Sequence, residues 1–219
     1  MSAVRLAVFD CDGTLVDGQA AICDCMELAF TAADLPCPDR NQIRRIVGLS
    51  LPQALRQLAP QASDIQRNHA VEAYKEHYRS ARYEDRLHEP LYHGISALLD
   101  RLALRGTALG VATGKSDRGL IACLTAHGII DKFVTLQTAD RHPSKPHPAM
   151  LNAALFEGAA QASEAVMIGD TIFDIDMARA ADVRAIGVAW GYHDPDELIE
   201  AGAEAVAQTP EELEALIHG

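Results

Sequence analysis

Short apolar runs bounded by turn residues recur along this 219-residue chain, and helical patterns separate most of them. The runs have the length and composition of buried strands; they cover residues 4–9, 107–112, 133–136, 165–168 and 183–189. Residues 93–105 show helical spacing of apolar side chains, and Ser116 is a suitable N-cap for a helix that ends near Gly128. This alternation predicts an α/β fold with a doubly wound, Rossmann-like parallel sheet.

A long stretch between the first two apolar runs, about residues 15–86, has several helical patterns and almost no run that resembles a strand. The helical patterns cover residues 20–33, 39–47 and 63–82, and prolines interrupt the chain between them. This stretch is too large for a simple crossover. We therefore predict an inserted helical lobe at 16–86, with residues 1–15 and 87–219 forming the core.

Composition limits the classes of partner. The formal net charge is −12 and no run of lysine or arginine interrupts it, so the long-range field disfavours nucleic acid and anionic membrane surfaces. The N-terminal apolar stretch is short and runs into acidic residues, which favours a cytoplasmic protein without a signal peptide or spanning helix. Five cysteines without paired spacing favour reduced thiols. We expect a monomer or homodimer that binds a small molecule.

Carboxylates follow two of the predicted strands. Asp10 and Asp12 come directly after the first strand, and Asp170 and Asp174 follow the fourth, one helical turn apart. Ligands of such folds lie beyond the carboxyl ends of the strands. Two carboxylates about 4 Å apart repel by roughly 4 kcal/mol at an effective dielectric of about 20. A bound cation would relieve this repulsion, and an all-oxygen set suits Mg²⁺, which in turn implies a phosphorylated ligand.

Two further segments offer groups that bind anions. Thr113 and Gly114 end the second apolar run ahead of a helix N-terminus, where a hydroxyl and free N–H groups could hold phosphate. Lys145 stands in a proline-stiffened segment and could neutralise charge on phosphate and aspartate. Lys115 follows Gly114 but lacks the spaced glycine of a P-loop, so we interpret it as a surface lysine at a helix start.

The four segments, in order, resemble the haloacid dehalogenase superfamily of hydrolases, whose pattern is DxDGT, a Thr or Ser after the second strand, a Lys, and GD followed by Asp. The resemblance covers residues 4–189. It implies that Asp10 is the nucleophile and that Asp12 is the general acid and base. It also implies a Mg²⁺ site formed by Asp10, the backbone carbonyl of Asp12, and Asp170, with Asp174 in support. Thr113, Gly114 and Lys145 would hold the phosphoryl group.

The resemblance further implies that the inserted lobe is a helical cap that closes over the site and contacts the leaving group. Arg45 and Gly48 lie where related enzymes often touch substrate, and we note them as candidate contacts. Asp12 favours phosphoryl transfer over dehalogenation, because halide departure needs no proton. The linker at residues 15–18, followed by an apolar Ile22, resembles that of the phosphoglycolate phosphatases and related pyrophosphatases. Phosphoglycolate is therefore the leading substrate, with pyrophosphate, nucleotides and sugar phosphates as alternatives.

Two other classes stay open. The sugar-phosphate mutases of the superfamily, such as β-phosphoglucomutase, usually have a His and an Arg where this chain has Ile22 and Leu51, which favours a hydrolase. A non-catalytic binding protein of the same fold would be indicated by a missing nucleophile or acid, and both are present. The sequence therefore predicts a Mg²⁺-dependent phosphatase of a small-molecule phosphate ester.

Overall fold

The computed structural model describes residues 4–218 and contains one six-stranded sheet in which every neighbouring pair is parallel. The strands are β1 (Leu6–Phe9), β2 (Ala108–Thr113), β3 (Phe133–Thr138), β4 (Ala165–Gly169), β5 (Arg184–Val188) and β6 (Ala205–Ala207). Their order is β3-β2-β1-β4-β5-β6. The predicted fold class is confirmed, and each apolar run corresponds to a strand. Strand β6 was not predicted, because its three residues are too few to form a recognisable apolar run.

Helices cover both faces of the sheet. One face packs against α5 (Ile95–Leu104), α6 (Asp117–Ala126) and α10 (Pro210–His218), and the other against α7 (Ala149–Glu157), α8 (Ile172–Ala180) and α9 (Pro195–Ala201). Successive residues of β1 show why: Ala7 and Phe9 belong to the first core, Leu6 and Val8 to the second. The sequence of a strand buried on both faces is a continuous apolar run, because the side chains on each face pack into an apolar core.

Four helices lie between β1 and α5: α1 (Gln19–Ala32), α2 (Arg40–Arg45), α3 (Leu51–Leu58) and α4 (Asp64–Tyr83). Their own core includes Met26, Phe30, Ile43 and Leu55. Capping boxes fix the starts of α2 and α4. The sequence predicts that prolines interrupt the chain between the helical patterns, but α3 has Pro52 in its first turn, because proline is tolerated there.

These four helices form the inserted helical cap. The division into a core of 1–15 and 87–219 and a cap of 16–86 stays a prediction, and residues 1–3 and 219 lie outside the described residues. Within residues 4–218, no helix is both long enough and apolar enough to cross a bilayer.

Candidate active site

The carboxyl ends of three neighbouring strands bring the predicted site residues together. Strands β2, β1 and β4 are adjacent and parallel, so Thr113, Asp10 and Asp170 emerge at the same edge of the sheet. All three side chains are buried. The convergence of segments far apart in the sequence follows from the strand order, because parallel strands place their carboxyl ends on one side.

An acidic cluster forms at this edge. Asp10, Asp170 and Asp174 each contribute a carboxylate oxygen, and these oxygens lie within 4.8 Å of one another. Lys145 reaches into the cluster, with its Nζ 2.9 Å from Asp10 Oδ1 and 2.6 Å from Asp174 Oδ1. The Lys145 side chain is fully buried. One buried cation therefore pairs with two of the three buried carboxyl groups.

Hydrogen bonds orient the two acids that follow β4. Asp170 accepts from Thr14 Oγ1 at 2.7 Å and from the Tyr192 backbone N–H at 3.0 Å. Asp174 accepts from Thr171 Oγ1 at 2.7 Å through one oxygen, while its other oxygen faces Lys145. Sequence reasoning missed Tyr192 as a contributor. It acts through its backbone, which no residue pattern reveals.

The cluster fits a hard divalent cation. Burial raises the pKa of Asp10 to about 7, against the opposing effect of Lys145. Burial and the neighbouring Asp174 and Asp10 carboxylates raise the pKa of Asp170 well above its ordinary value. Asp10 Oδ2 is buried and has no hydrogen-bond partner among the described residues. A set of carboxylate oxygens, one of them without a partner, suits a hard cation such as Mg²⁺, which prefers oxygen ligands.

Gly13 explains part of the DxDGT segment. Its φ of +83° lies in the left-handed region, and a Cβ at this position would meet Asp170 Oδ2 at 2.1 Å. Any larger residue would displace the carboxylate and strain the backbone. The glycine therefore allows the chain to turn tightly enough for Asp10 and Asp12 to reach the same site.

Lys115 is buried beside Asp12, so its interpretation as a surface lysine was wrong. Its Nζ lies 3.0 Å from Asp12 Oδ1, and its side chain is 8% exposed. The same Nζ donates to Glu89 Oε1 and Tyr78 Oη, each at 3.1 Å. Glu89 lies between cap and core, and Tyr78 belongs to α4. The lysine is buried because the cap covers the start of α6, and a local pattern could not show that.

Thr113 and Gly114 lie where the cap meets the core. Thr113 Oγ1 accepts from the Lys115 backbone N–H at 3.3 Å. A Cβ on Gly114 would meet the backbone oxygens of Leu49 and Gly48 at 2.5 and 2.6 Å. Ser50 N–H donates to Ser144 Oγ at 2.8 Å across the same boundary. Only glycine allows the cap loop to approach this closely.

A cavity of about 900 Å³ lies between cap and core, and its lining includes Asp12, Gly48, Gly114 and Lys115. Arg45, the other candidate cap contact, is not among the described residues that line it. Its guanidinium instead forms an exposed ion pair with Glu197 on α9, with N–O distances of 2.5 and 2.8 Å. The structure thus brings Gly48 to the cavity and places Arg45 on the outer surface.

His193 is a further residue near the site that sequence reasoning missed. Its side chain is buried between two elements, with Nδ1 3.2 Å from the Ile172 backbone N and Nε2 3.1 Å from the Arg45 backbone oxygen. Burial lowers its pKa, and a neutral ring suits these contacts because it accepts through Nδ1 and donates through Nε2. His193 thereby links α8, which carries Asp174, to the cap.

Comparisons with known proteins agree with this geometry. A family model described as haloacid dehalogenase-like hydrolase matches residues 7–188. The chain is 35% identical to "Probable phosphatase IndB" of Dickeya dadantii, covering 97% of this chain and 93% of that protein. It is 28% identical to a "Phosphoglycolate phosphatase" of Vibrio vulnificus, covering 96% and 94%.

Solved structures show the same fold. A predicted phosphatase from Clostridium acetobutylicum superposes with a TM-score of 0.88 at 24% identity, covering 99% of each chain. A hydrolase from Pseudomonas syringae superposes with a TM-score of 0.85 at 26% identity, covering 95% of each chain.

Proposed function

This chain belongs to the haloacid dehalogenase-like hydrolase family and is a phosphoric monoester hydrolase, and from that premise we propose that it is Mg²⁺-dependent and works through a phosphoryl group carried on Asp10. The observation that carries the proposal is the arrangement around Asp10. One of its oxygens faces Lys145 Nζ at 2.9 Å, and the other is buried without a partner among the described residues. A carboxylate held in this way is oriented for reaction and lacks a competing donor.

The residues support a two-step reaction. In the first step an Asp10 oxygen bonds to phosphorus while the bond from phosphorus to the leaving oxygen breaks, and Asp12 gives its proton to that oxygen. In the second step Asp12 takes a proton from water, the water oxygen bonds to phosphorus, and Asp10 is released as a carboxylate with inorganic phosphate as product. Burial raises the pKa of Asp12, which favours a carboxyl group that can hold a proton before the first step.

Asp10, Asp170 and the backbone carbonyl of Asp12 would hold Mg²⁺, with Asp174 supporting the site through Lys145 and Thr171. When bound, the ion supplies positive charge that offsets the carboxylates and the phosphoryl oxygens. Lys145 adds a second positive charge beside Asp10. Thr113 and Gly114 contribute a hydroxyl and backbone N–H groups that would orient the phosphoryl group.

The cap at 16–86 would determine the substrate, with Gly48 beside the cavity and Arg45 as a predicted contact that lies outside it. The names of several relatives support phosphoglycolate as the leading substrate, with pyrophosphate, nucleotides and sugar phosphates as alternatives. A phosphomutase is less well supported, because Ile22 and Leu51 stand where those enzymes usually have His and Arg. A binding protein without activity is least supported, since both Asp10 and Asp12 are present.

Phosphate release from p-nitrophenyl phosphate and from glycolate, sugar, nucleotide and pyrophosphate substrates tests this proposal. We expect turnover with Mg²⁺, none with EDTA, and turnover lower by several orders of magnitude in the Asp10→Asn variant. Rapid turnover by Asp10→Asn would contradict catalysis through Asp10. Ranking the substrates by kcat/KM would identify the leaving group, because discrimination between substrates is a ratio of kcat/KM values.

A further inference from the structure

Lys115 is a buried cation beside the proposed general acid, and no step of the proposed reaction uses it. Its Nζ lies 3.0 Å from Asp12 Oδ1, and its side chain is 8% exposed. We propose that Lys115 is a positioning residue that orients Asp12 and stabilises the carboxylate left on Asp12 when it protonates the leaving alcohol. This inference rests on the proposed function and adds a residue to the first step of that reaction.

Lys115 faces the buried oxygen of the Asp12 carboxyl group. Asp12 Oδ1 accepts no aligned hydrogen bond from any described residue, so the ammonium group at 3.0 Å holds this oxygen through its charge. The Asp12 side chain as a whole is 13% exposed and lines the cavity between cap and core. With Oδ1 buried against Lys115, Oδ2 is the oxygen that can give its proton to a leaving group in the cavity.

The charges around Asp12 balance only after it has given up its proton. Lys115 and Arg82 are both positive, and the single Glu89 carboxylate lies between them, with Oε1 3.1 Å from Lys115 Nζ and Oε2 2.6 Å from Arg82 Nη2. While Asp12 is protonated, this group of side chains keeps one excess positive charge. The carboxylate that forms on Asp12 cancels it, and such a pair is strong where water is excluded.

The effect of Lys115 belongs to the first step of the reaction. In that step the O–H bond of Asp12 breaks and its proton goes to the leaving oxygen, while the bond from this oxygen to phosphorus breaks. Asp12 becomes a carboxylate beside Lys115, so the positive charge stabilises the developing state more than the starting state and lowers the barrier. In the second step Asp12 takes a proton from water, and the same charge opposes that transfer.

A cap helix holds Lys115 in this position. Lys115 Nζ donates to Tyr78 Oη at 3.1 Å, and the Tyr78 hydroxyl donates to Glu89 Oε1 at 2.8 Å. The same Nζ lies 5.2 Å from the centroid of the Tyr78 ring, which adds a cation–π contact. Tyr78 belongs to α4, whereas Asp12 follows β1 and Lys115 follows β2. Tyr78 therefore acts on Asp12 through Lys115, which connects the packing of the cap to the acid.

Two esters that differ in their need for a proton test this role. Benzyl phosphate releases an alkoxide, which has to be protonated, whereas p-nitrophenyl phosphate releases a phenolate whose charge is delocalised onto the nitro group. Each leaving group has one aromatic ring, and both esters give the same phosphoryl group on Asp10, so the second step is common to them. The ratio of their kcat/KM values therefore isolates proton donation in the first step.

Lys115→Met keeps the length of the side chain and removes its charge. The kcat/KM for benzyl phosphate relative to p-nitrophenyl phosphate should fall by at least about tenfold, because general acid catalysis contributes about 10²–10⁴ in rate. Lys132→Met is the matched control, since Lys132 pairs with Asp100 and precedes β3, at the end of the sheet opposite the site. It should leave the ratio unchanged. A variant in which only packing is disturbed would lose both esters together.

Tyr78→Phe is a milder change that keeps the ring and removes the hydroxyl. The same ratio should fall by about two- to tenfold, the equivalent of one hydrogen bond. In the Lys115→Met background this substitution should lower the ratio no further, because Tyr78 acts through Lys115. Tyr74→Phe is its control, since Tyr74 stacks on Tyr78 with ring centroids 5.7 Å apart and lines the same cavity. It should leave the ratio unchanged.

The results distinguish this inference from the proposed function. An unchanged ratio in Lys115→Met, or the same change in Lys132→Met, would overturn the inference and leave the phosphatase intact. So would a wild-type protein that hydrolyses p-nitrophenyl phosphate but not benzyl phosphate, since no proton would then reach an alkoxide. A further loss in the double variant, or an equal loss in Tyr74→Phe, would overturn the link from the cap through Tyr78.

Failure of the wild-type protein to hydrolyse either ester, or any substrate of the screen, would overturn the proposed function and the inference with it. A selective loss for benzyl phosphate in both Lys115→Met and Tyr78→Phe supports both.

Discussion

Lys145 Nζ lies 2.9 Å from Asp10 Oδ1 at a site where both side chains are almost completely buried. The same ammonium group lies 2.6 Å from Asp174 Oδ1, so it bridges the acid after β1 and the acid at the start of α8. A cation placed between buried carboxylates lowers their mutual repulsion and orients both of them.

Asp10→Asn should reduce turnover of p-nitrophenyl phosphate by several orders of magnitude, because the amide is a poor nucleophile while the shape of the side chain is kept. Asp176→Asn is the matched control, since Asp176 is a partly exposed acid of the same helix as Asp174 and pairs with Arg179. It should retain activity. Equal losses in the two variants would indicate a general effect on the fold.

EDTA should abolish activity, and added Mg²⁺ should restore it. Mg²⁺ should also raise the Tm of the wild-type protein, because a ligand that binds only the folded state stabilises it by about 2.7 kcal/mol at a concentration of about 100 times its Kd. In Asp170→Asn this rise in Tm should be much smaller, since a carboxylate of the cluster is lost. An unchanged rise would place the ion elsewhere.

The stability of the metal-free protein should depend on pH through Asp10. Burial raises the pKa of Asp10 to about 7 in the folded protein, above its ordinary value of 3.8. A raised pKa means that the folded state binds the proton more tightly, so the stability contributed below about pH 4 is lost as pH rises through about 7. The amide introduced by Asp10→Asn does not titrate, so that variant lacks this loss.

The Tm of Asp10→Asn relative to the wild-type protein, both measured with EDTA, should therefore increase between about pH 5 and about pH 8. Differential scanning calorimetry at the two pH values gives this comparison. A relative Tm that falls with pH would show that the ionised form of Asp10 stabilises the metal-free fold, which contradicts a raised pKa.

Lys145→Met should reduce the free energy of unfolding by about 3–5 kcal/mol in the absence of metal, because it leaves Asp10 and Asp174 buried without a cation. Urea unfolding followed by circular dichroism measures the change. Lys75→Met is the control on a half-exposed ion pair with Glu72 and should cost less than about 1 kcal/mol. Similar costs for the two variants would contradict the buried bridge.

Gly114→Ala should raise KM and lower kcat/KM, since the new Cβ would meet the backbone oxygens of Leu49 and Gly48 at 2.5 and 2.6 Å and push the cap loop away from the core. Overpacking of this kind costs roughly 1–3 kcal/mol. Gly119→Ala is the comparison on α6, where the nearest atom is the Ser116 hydroxyl at 3.1 Å. Unaltered kinetics in Gly114→Ala would mean that the cap does not close on this loop.

The residues of the core motifs could be identified from the sequence because their signals are local. Asp10, Asp170 and Thr113 directly follow or end apolar runs, and the strand ends of a parallel sheet share one edge. Helices α1, α2 and α4 of the cap could be predicted from their helical spacing, whereas α3 was missed because Pro52 was expected to interrupt the chain. The DxDGT segment also requires Gly13 to turn with a positive φ, which the residue type itself suggests.

Lys115 shows what local signals cannot decide. Its neighbours in the sequence are those of an exposed helix start, and only the packing of Tyr78 from α4 and Glu89 from the cap boundary buries it beside Asp12. Arg45 shows the reverse, because a residue expected near substrate pairs with Glu197 on the outside. Burial and ion pairing depend on which elements meet in space, so tertiary structure decided the charge of the cavity, whereas the sequence alone determined which chemical groups follow each strand.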